Sequence, residues 1–237
     1  VAKTMMIEIF EPSLPAIVTA GFAGTYVLMI SVFNMVGRIF WASMSDFIGR
    51  KPTYFIFFSL GILLYLSIPF TAKAMSVDPI VTYLILFYAA SMVIFTMYGG
   101  GFATIPAYLA DIFGTKYVGG IHGRLLTAWS TAGVLGPVAI TQLRQNSVDS
   151  AINDLVSKIS PEKFTEIYGA SIENLSLLVQ EKTVTISNLM PHMPEGTINP
   201  STTLYNSTMF AMAGLLAIAF VANLLIGPVN EKHHMKE

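Results

Sequence analysis

Five stretches of this chain contain no charged residue: 12–37, 52–72, 79–110, 125–143 and 196–230. Each reaches or exceeds the ~18 mostly apolar residues that a membrane-spanning helix needs. The last run opens with polar residues, so its helix is placed at Leu204–Ile226. Run 79–110 is long enough for a span plus a helical extension. Only 11% of the residues are charged and 54% are apolar, against roughly 25% charged in an ordinary soluble domain. Too few polar side chains exist to cover a water-facing surface. The net charge of −1 and the absence of Cys also exclude a basic nucleic-acid binder and a disulfide scaffold. The expected fold is all-α, a polytopic membrane helix bundle in contact with the lipid bilayer.

Alternate connections between spans share one side. Arg50, Lys51, Lys116, Arg124, Lys232 and Lys236 then fall on one side, and Lys3, Lys73 and Arg144 on the other. The positive-inside rule makes the first side, with the C-terminus, cytoplasmic. A bacterial inner membrane is the expected location. Residues 1–10 are too short to span and read as the end of a helix. The first residue is Val and no signal-peptide pattern precedes it, so a fragment of a longer protein is expected.

The connection around 145–203 is long and polar. Residues 145–195 hold seven acids and three bases. Val148, Ala151, Ile152, Leu155, Val156 and Ile159 recur at helical spacing after a candidate cap at Ser147. Ser160-Pro161 opens a second short helix with Phe164, Ile167 and Tyr168. Ile172, Leu175, Leu178 and Val179 suggest a third. The expected organisation is a membrane domain at 1–145, a helical extracytoplasmic insertion at 146–203, a last transmembrane helix at 204–228 and a cytoplasmic tail at 229–237. The insertion is expected to pack on the outer face, with substrate filtering or partner binding as the alternatives.

The segment Gly37-Arg38-Ile39-Phe40-Trp41-Ala42-Ser43-Met44-Ser45-Asp46-Phe47-Ile48-Gly49-Arg50-Lys51 is the most informative. Gly49 suits a helix C-cap and Pro52 the first turn of the next helix. Arg50 and Lys51 suit the negative end of a helix dipole, whereas Asp46 there needs a partner. Such a charge can break and reform, as a conformational latch must. The pattern resembles the loop signature of the major facilitator superfamily, Gly-x-x-x-Asp-x-x-Gly-Arg-Arg/Lys. Ala42 and Phe47 depart from it, as in the copy after the eighth helix of that family. The resemblance implies helices 8–11 and 12, the end of helix 7, and an absent N-terminal half of the same protein as partner. Asn34-Met35-Val36-Gly37-Arg38, Tyr98–Asp111 and Ile121–Pro137 are similar to the oxalate/formate antiporter family and its monocarboxylate-transporting relatives.

Arg38 lies two turns before Asp46, about 12 Å deeper at 1.5 Å per residue. That places it near the middle of a ~30 Å hydrocarbon core. An Arg there costs ~2.5–3.5 kcal/mol on insertion scales, so it should face a cavity or a partner. Asn34, Trp41 and Ser45 share its face by spacing. The guanidinium fork matches a carboxylate, and the resemblance implies an anion-binding Arg at this position. Its alternative is a permanent pair with an acid of the absent half.

Tyr88, Ser91, Phe95, Tyr98 and Phe102 form one stripe on their helix, read as packing or as a site. Tyr98 and Trp129 are candidate pocket walls. The resemblance implies a Lys near Trp129 for a dicarboxylate. Leu126–Ser130 carries no cation, which favours a monocarboxylate such as formate, lactate or pyruvate. Gly133, Gly136 and Pro137 are expected to allow close helix contact and a kink. Asp111 is expected to pair with Arg50 or Arg124 as a latch, or else to be a solvated charge at a helix end. His122 lies near the inner end of its helix, and no carboxylate lies at mid-membrane depth, so a proton carrier is expected in the absent half. No cofactor is implied, and His233-His234 are too sparse for a metal site.

The expected function is secondary transport of small organic anions by alternating access, as antiport or proton symport. The expected substrate contacts are Arg38, Asn34, Tyr98 and Trp129. Asp46, Gly49, Arg50, Lys51, Asp111 and Arg124 would serve gating. A membrane enzyme is disfavoured because no His-Glu-x-x-His, Gly-x-Ser-x-Gly or phosphate-binding loop occurs. A non-transporting sensor reading a ligand or partner through the insertion is the alternative. Deletion of 147–200 is the expected means of separating it from transport.

Overall fold

A computed structural model describes residues 2–227 and 229–230. Lys232, Lys236, His233, His234 and most of the expected tail lie outside the described residues. Among the described residues the regular structure is helical throughout. The α-helices are α1 (Ala2–Phe10), α2 (Ala20–Ile48), α3 (Arg50–Val77), α4 (Val81–Phe113), α5 (Val118–Val156), α6 (Pro161–Tyr168), α7 (Leu175–Gln180), α8 (Ile186–Leu189) and α9 (Asn206–Leu225).

Among the described residues, four helical segments are long and apolar enough to cross a membrane: Ala20–Ile48, Arg50–Val77, Val81–Phe113 and Pro200–Leu225. The fifth expected span lies within α5, which packs beside α4 and α9. It falls short in apolarity because Thr127, Ser130, Thr131, Gly133 and Gly136 dilute it. The chain is thus a helix bundle of membrane type. Ile39, Phe47, Leu63 and Leu225 stand exposed on its sides, as lipid-facing residues do, because the bilayer core presents no water to exclude.

Helix ends follow local chemistry. Thr19 caps α2, its hydroxyl accepting from the Phe22 N–H at 3.2 Å. Gly49 ends α2 as expected, its N–H bonded to the Ser45 carbonyl and its φ at +90°. A side chain there would be strained. Pro52 sits in the first turn of α3, where its missing N–H costs nothing. Ser160 caps α6 with Pro161 at its first position.

The bundle centres on the crossing of α2 and α4. A Cβ built on Gly37 would lie 2.1 Å from the Thr96 carbonyl oxygen, and one on Gly99 would lie 2.0 Å from that of Asn34. One on Gly100 would lie 2.4 Å from the Trp41 Cβ. Gly37 and Gly99 therefore let the two backbones approach closely, and Gly100 makes room for Trp41. The expected close contact at Gly133 and Gly136 is not made: nothing described lies within 4 Å of a Cβ at either. Pro137 sits inside an unbroken α5.

Residues 146–203 share the core of the bundle end that holds α1. Met6, Ile9 and Phe10 of α1, Tyr26 of α2 and Phe87 of α4 form one apolar cluster with Ile152, Leu155, Phe164, Leu178 and Leu189. Ser147 does not start a helix. It lies inside α5, its hydroxyl donating to the Leu143 carbonyl at 3.0 Å. The 145/146 boundary therefore falls within a continuous rod that carries the membrane segment into the insertion. Deleting 147–200 would remove the cover of Met6 and Phe10 along with any binding surface.

Glu8 ties three elements together here. Arg144 of α5 donates to it through Nε at 2.9 Å and also through Nη2. The Tyr205 hydroxyl, just before α9, donates to the same carboxylate at 2.6 Å. Both charged side chains keep some exposure, 24% and 30%. Glu8→Gln is therefore expected to cost only about 1–2 kcal/mol after solvent screening. A lower melting temperature in detergent would show this, and an unchanged one would show the cluster to be dispensable.

Candidate functional site

One end of the bundle gathers Asp46, Gly49, Arg50, Lys51 and Asp111. Asp46 finds its partner on the next helix: Arg50 Nη2 donates to its Oδ1 at 2.5 Å. Arg50 Nη1 also donates to the buried Ser45 hydroxyl at 2.5 Å. Asp111 Oδ2, at the end of α4, lies 3.9 Å from Arg50 Nε. One guanidinium thus bridges the ends of α2, α3 and α4. Both carboxylates are about two-thirds exposed, so the contacts are weak enough to break. Arg124 forms no ion pair among the described residues. Of its two expected partners, Asp111 meets Arg50.

Lys51 faces elsewhere. Its ammonium donates to the Leu224 and Ile226 carbonyls at 3.0 and 2.5 Å. It thereby caps the negative end of α9, where a cation is favoured. The buried Asn223 donates to the Lys51 carbonyl at 3.3 Å and accepts from the Tyr108 hydroxyl at 2.9 Å. This end of α9 is thus fastened to α3 and α4. Lys51→Ala is expected to cost about 0.5–1 kcal/mol. Faster amide exchange confined to the last turn of α9 would reveal it, and uniform exchange along the helix would not fit.

Arg38, Tyr98 and Trp129 come together around Phe102. The Phe102 and Trp129 rings meet edge to face, with centroids 4.5 Å apart. Tyr98 lies 6.2 Å from Trp129. The Arg38 Cζ sits 5.7 Å from the Phe102 centroid, within cation–π range. Arg38 is exposed, and it makes no hydrogen bond or ion pair among the described residues. Its guanidinium donors are therefore free.

The rest of its expected face turns away. Trp41 donates to the Thr96 hydroxyl at 3.2 Å, and Ser45 is taken by Arg50. Asn34 lends its backbone to the glycine crossing, and its side chain makes no hydrogen bond among the described residues. Helical spacing had put these residues on one face, but α4 covers part of it. The aromatic stripe of α4 divides in the same way. Tyr88 packs on Phe22 and Tyr26 of α2, while Tyr98 and Phe102 face α5.

Phe102 is the residue sequence reasoning placed too low. The signal was its position four residues after Tyr98, but nothing local said that Trp129 would meet it. A cleft of 380 Å³ opens beside this cluster between α3, α4, α5 and α9, lined by Tyr54, Tyr98, Phe102, His122, Leu126 and Trp129 among others. Its walls are almost wholly apolar. A second, larger cleft of 1580 Å³ lies at the end that holds α1, with Glu8, Arg144, Asp149, Glu173 and Lys182 on its walls. No cluster of metal-ligating side chains occurs among the described residues.

No family model matches the chain, and no solved structure matches it. Over 117 residues, 48% of its length, the chain is 30% identical to the oxalate:formate antiporter of Oxalobacter formigenes. The match takes in 26% of that protein's length, so the chain aligns with about a quarter of a relative that carries anions.

Proposed function

We propose that this chain is the second six-helix half of a major-facilitator-type carrier, of the oxalate/formate antiporter family and its relatives. The carrier would move small organic carboxylates across a bacterial inner membrane, with the Arg50 end in the cytoplasm. The observation that carries this reading is Arg38. An exposed guanidinium with no partner among the described residues, resting on Phe102 beside Tyr98 and Trp129, offers a planar fork to a carboxylate. The similarity to an anion antiporter points the same way. The two halves would rock about this site in alternating access. The Arg50–Asp46–Asp111 cluster would open and close the cytoplasmic end. Lys51 would hold α9 in place rather than gate.

Uptake of labelled oxalate, formate, lactate and pyruvate by the full-length protein in proteoliposomes tests the reading. Saturable uptake or exchange of at least one of them is expected. Uptake no faster than in empty vesicles for all four would overturn it. The outer cleft favours one second reading, a sensor that binds a ligand or partner through the insertion. Glu173→Ala with Lys182→Ala alters that cleft without cutting α5. Transport that survives the pair would leave the cleft accessory, whereas wild-type protein that responds to an outer ligand without transporting would favour the sensor.

A further inference from the structure

The cleft beside Trp129 holds one unexplained group. His122 Nδ1 is fully buried and has no hydrogen-bond partner among the described residues. Leaving a buried polar atom unpaired costs about 1–3 kcal/mol, and such atoms need a reason. The surroundings supply none. Tyr54 and Tyr65 line the cleft from α3, Tyr98 from α4, and Leu216 from α9. The Tyr54 hydroxyl is already committed to the Gly101 carbonyl at 2.6 Å. Arg124 follows two residues later on α5 itself. No carboxylate lines the cleft.

His122 shares a face of α5 with Trp129, seven residues on, and both line this cleft. Phe102, which also lines the cleft, meets Trp129 and carries the Arg38 guanidinium on its ring. Arg38 cannot give up a proton, whereas imidazole is the side chain whose charge changes near neutral pH.

We infer that His122 is the proton-binding group that couples anion movement to proton movement. The inference rests on the transport reading above. A carboxylate arriving at Arg38 brings negative charge to the Phe102 ring that lines the cleft, and a nearby negative charge favours the charged form of an imidazole. His122 then takes one proton from water on the loading side, with no other bond made or broken. When the carboxylate leaves on the unloading side, the proton returns to water there. The transported unit is one anion with one proton.

The test compares wild type with His122→Gln and His122→Asn in proteoliposomes of the full-length protein. Each is assayed for counterflow exchange of labelled formate, lactate, pyruvate and oxalate, and for uptake driven by a gradient of one pH unit. One coupled proton per anion is expected to give wild type about tenfold accumulation across that gradient. The ratio of gradient-driven uptake to counterflow is expected to fall to the gradient-free level in both variants. Melting temperatures in detergent confirm that the variants fold. A second readout is the nitrogen NMR signal of His122, which is expected to move toward imidazolium when formate is added at constant pH. Gradient-driven accumulation in the variants equal to wild type overturns the inference, as does a wild type that exchanges anions but ignores the gradient. A His122 signal indifferent to formate also overturns it. Absence of counterflow in wild type for all four anions overturns the transport reading itself.

Discussion

Arg38→Lys is expected to lower carboxylate uptake by about 10- to 100-fold while keeping the positive charge. The side chain has no partner among the described residues, so the substitution breaks no internal bond. What disappears is the pair of parallel donors that a carboxylate accepts, about 1.5–3 kcal/mol for hydrogen bonds to a charged group. Arg38→Ala removes the charge as well and is expected to abolish uptake. Because Arg38 is exposed, both variants should fold and melt as wild type does. The melting curve therefore separates loss of binding from loss of structure. Normal uptake by Arg38→Lys would sink the bidentate site. A variant that failed to fold would point to a permanent ion pair with a segment beyond the described residues.

The largest expected effect on stability is at Gly99. A Cβ there would lie 2.0 Å from the Asn34 carbonyl oxygen, and the obstacle is backbone, which cannot swing aside. Gly99→Leu must push α2 and α4 apart along their main contact. Overpacking of this kind costs about 1–3 kcal/mol in ordinary cores, and here it also displaces the Arg38 and Phe102 helices from each other. Loss of a monodisperse peak in detergent chromatography is expected. Gly214→Ala is the control, since nothing lies within 4 Å of a Cβ at that position of α9. It should keep or raise the melting temperature, because Ala is favoured over Gly inside a helix by about 1 kcal/mol. Equal melting of Gly99→Leu and wild type would mean that the crossing is not as close as it stands.

These two residues differ in how they could be found. Arg38 was legible because it ends an uncharged run two helical turns before Asp46. In the sequence the Gly99-Gly100-Gly101 run reads as a place of close backbone approach or of a helix bend, with no partner helix specified. Gly133 and Gly136 looked equally able to admit a neighbour, yet among the described residues it is Gly37, Gly99 and Gly100, at the α2–α4 crossing, that do so. The difference is a matter of which helices cross and at what height. Asp111 shows the same limit. Spacing allowed Arg50 or Arg124, and the choice fell to Arg50 because the ends of α2, α3 and α4 converge there. Lys51, adjacent to Arg50 in sequence, points to a different helix.

The sequence by itself determined what depends on near neighbours and on the solvent: the apolar helices and their ends at Gly49 and Ser160-Pro161. Caps and hydropathy act within one turn or along one helix, so they can be read from order alone. Only the tertiary structure decided the continuity of α5 through Ser147, whose hydroxyl bonds back into the helix while residues beyond it pack against α1. It also decided the meeting of Arg38, Phe102 and Trp129, and the isolation of His122 Nδ1. These depend on side chains from separate helices reaching one point, and no local pattern specifies where packed helices touch.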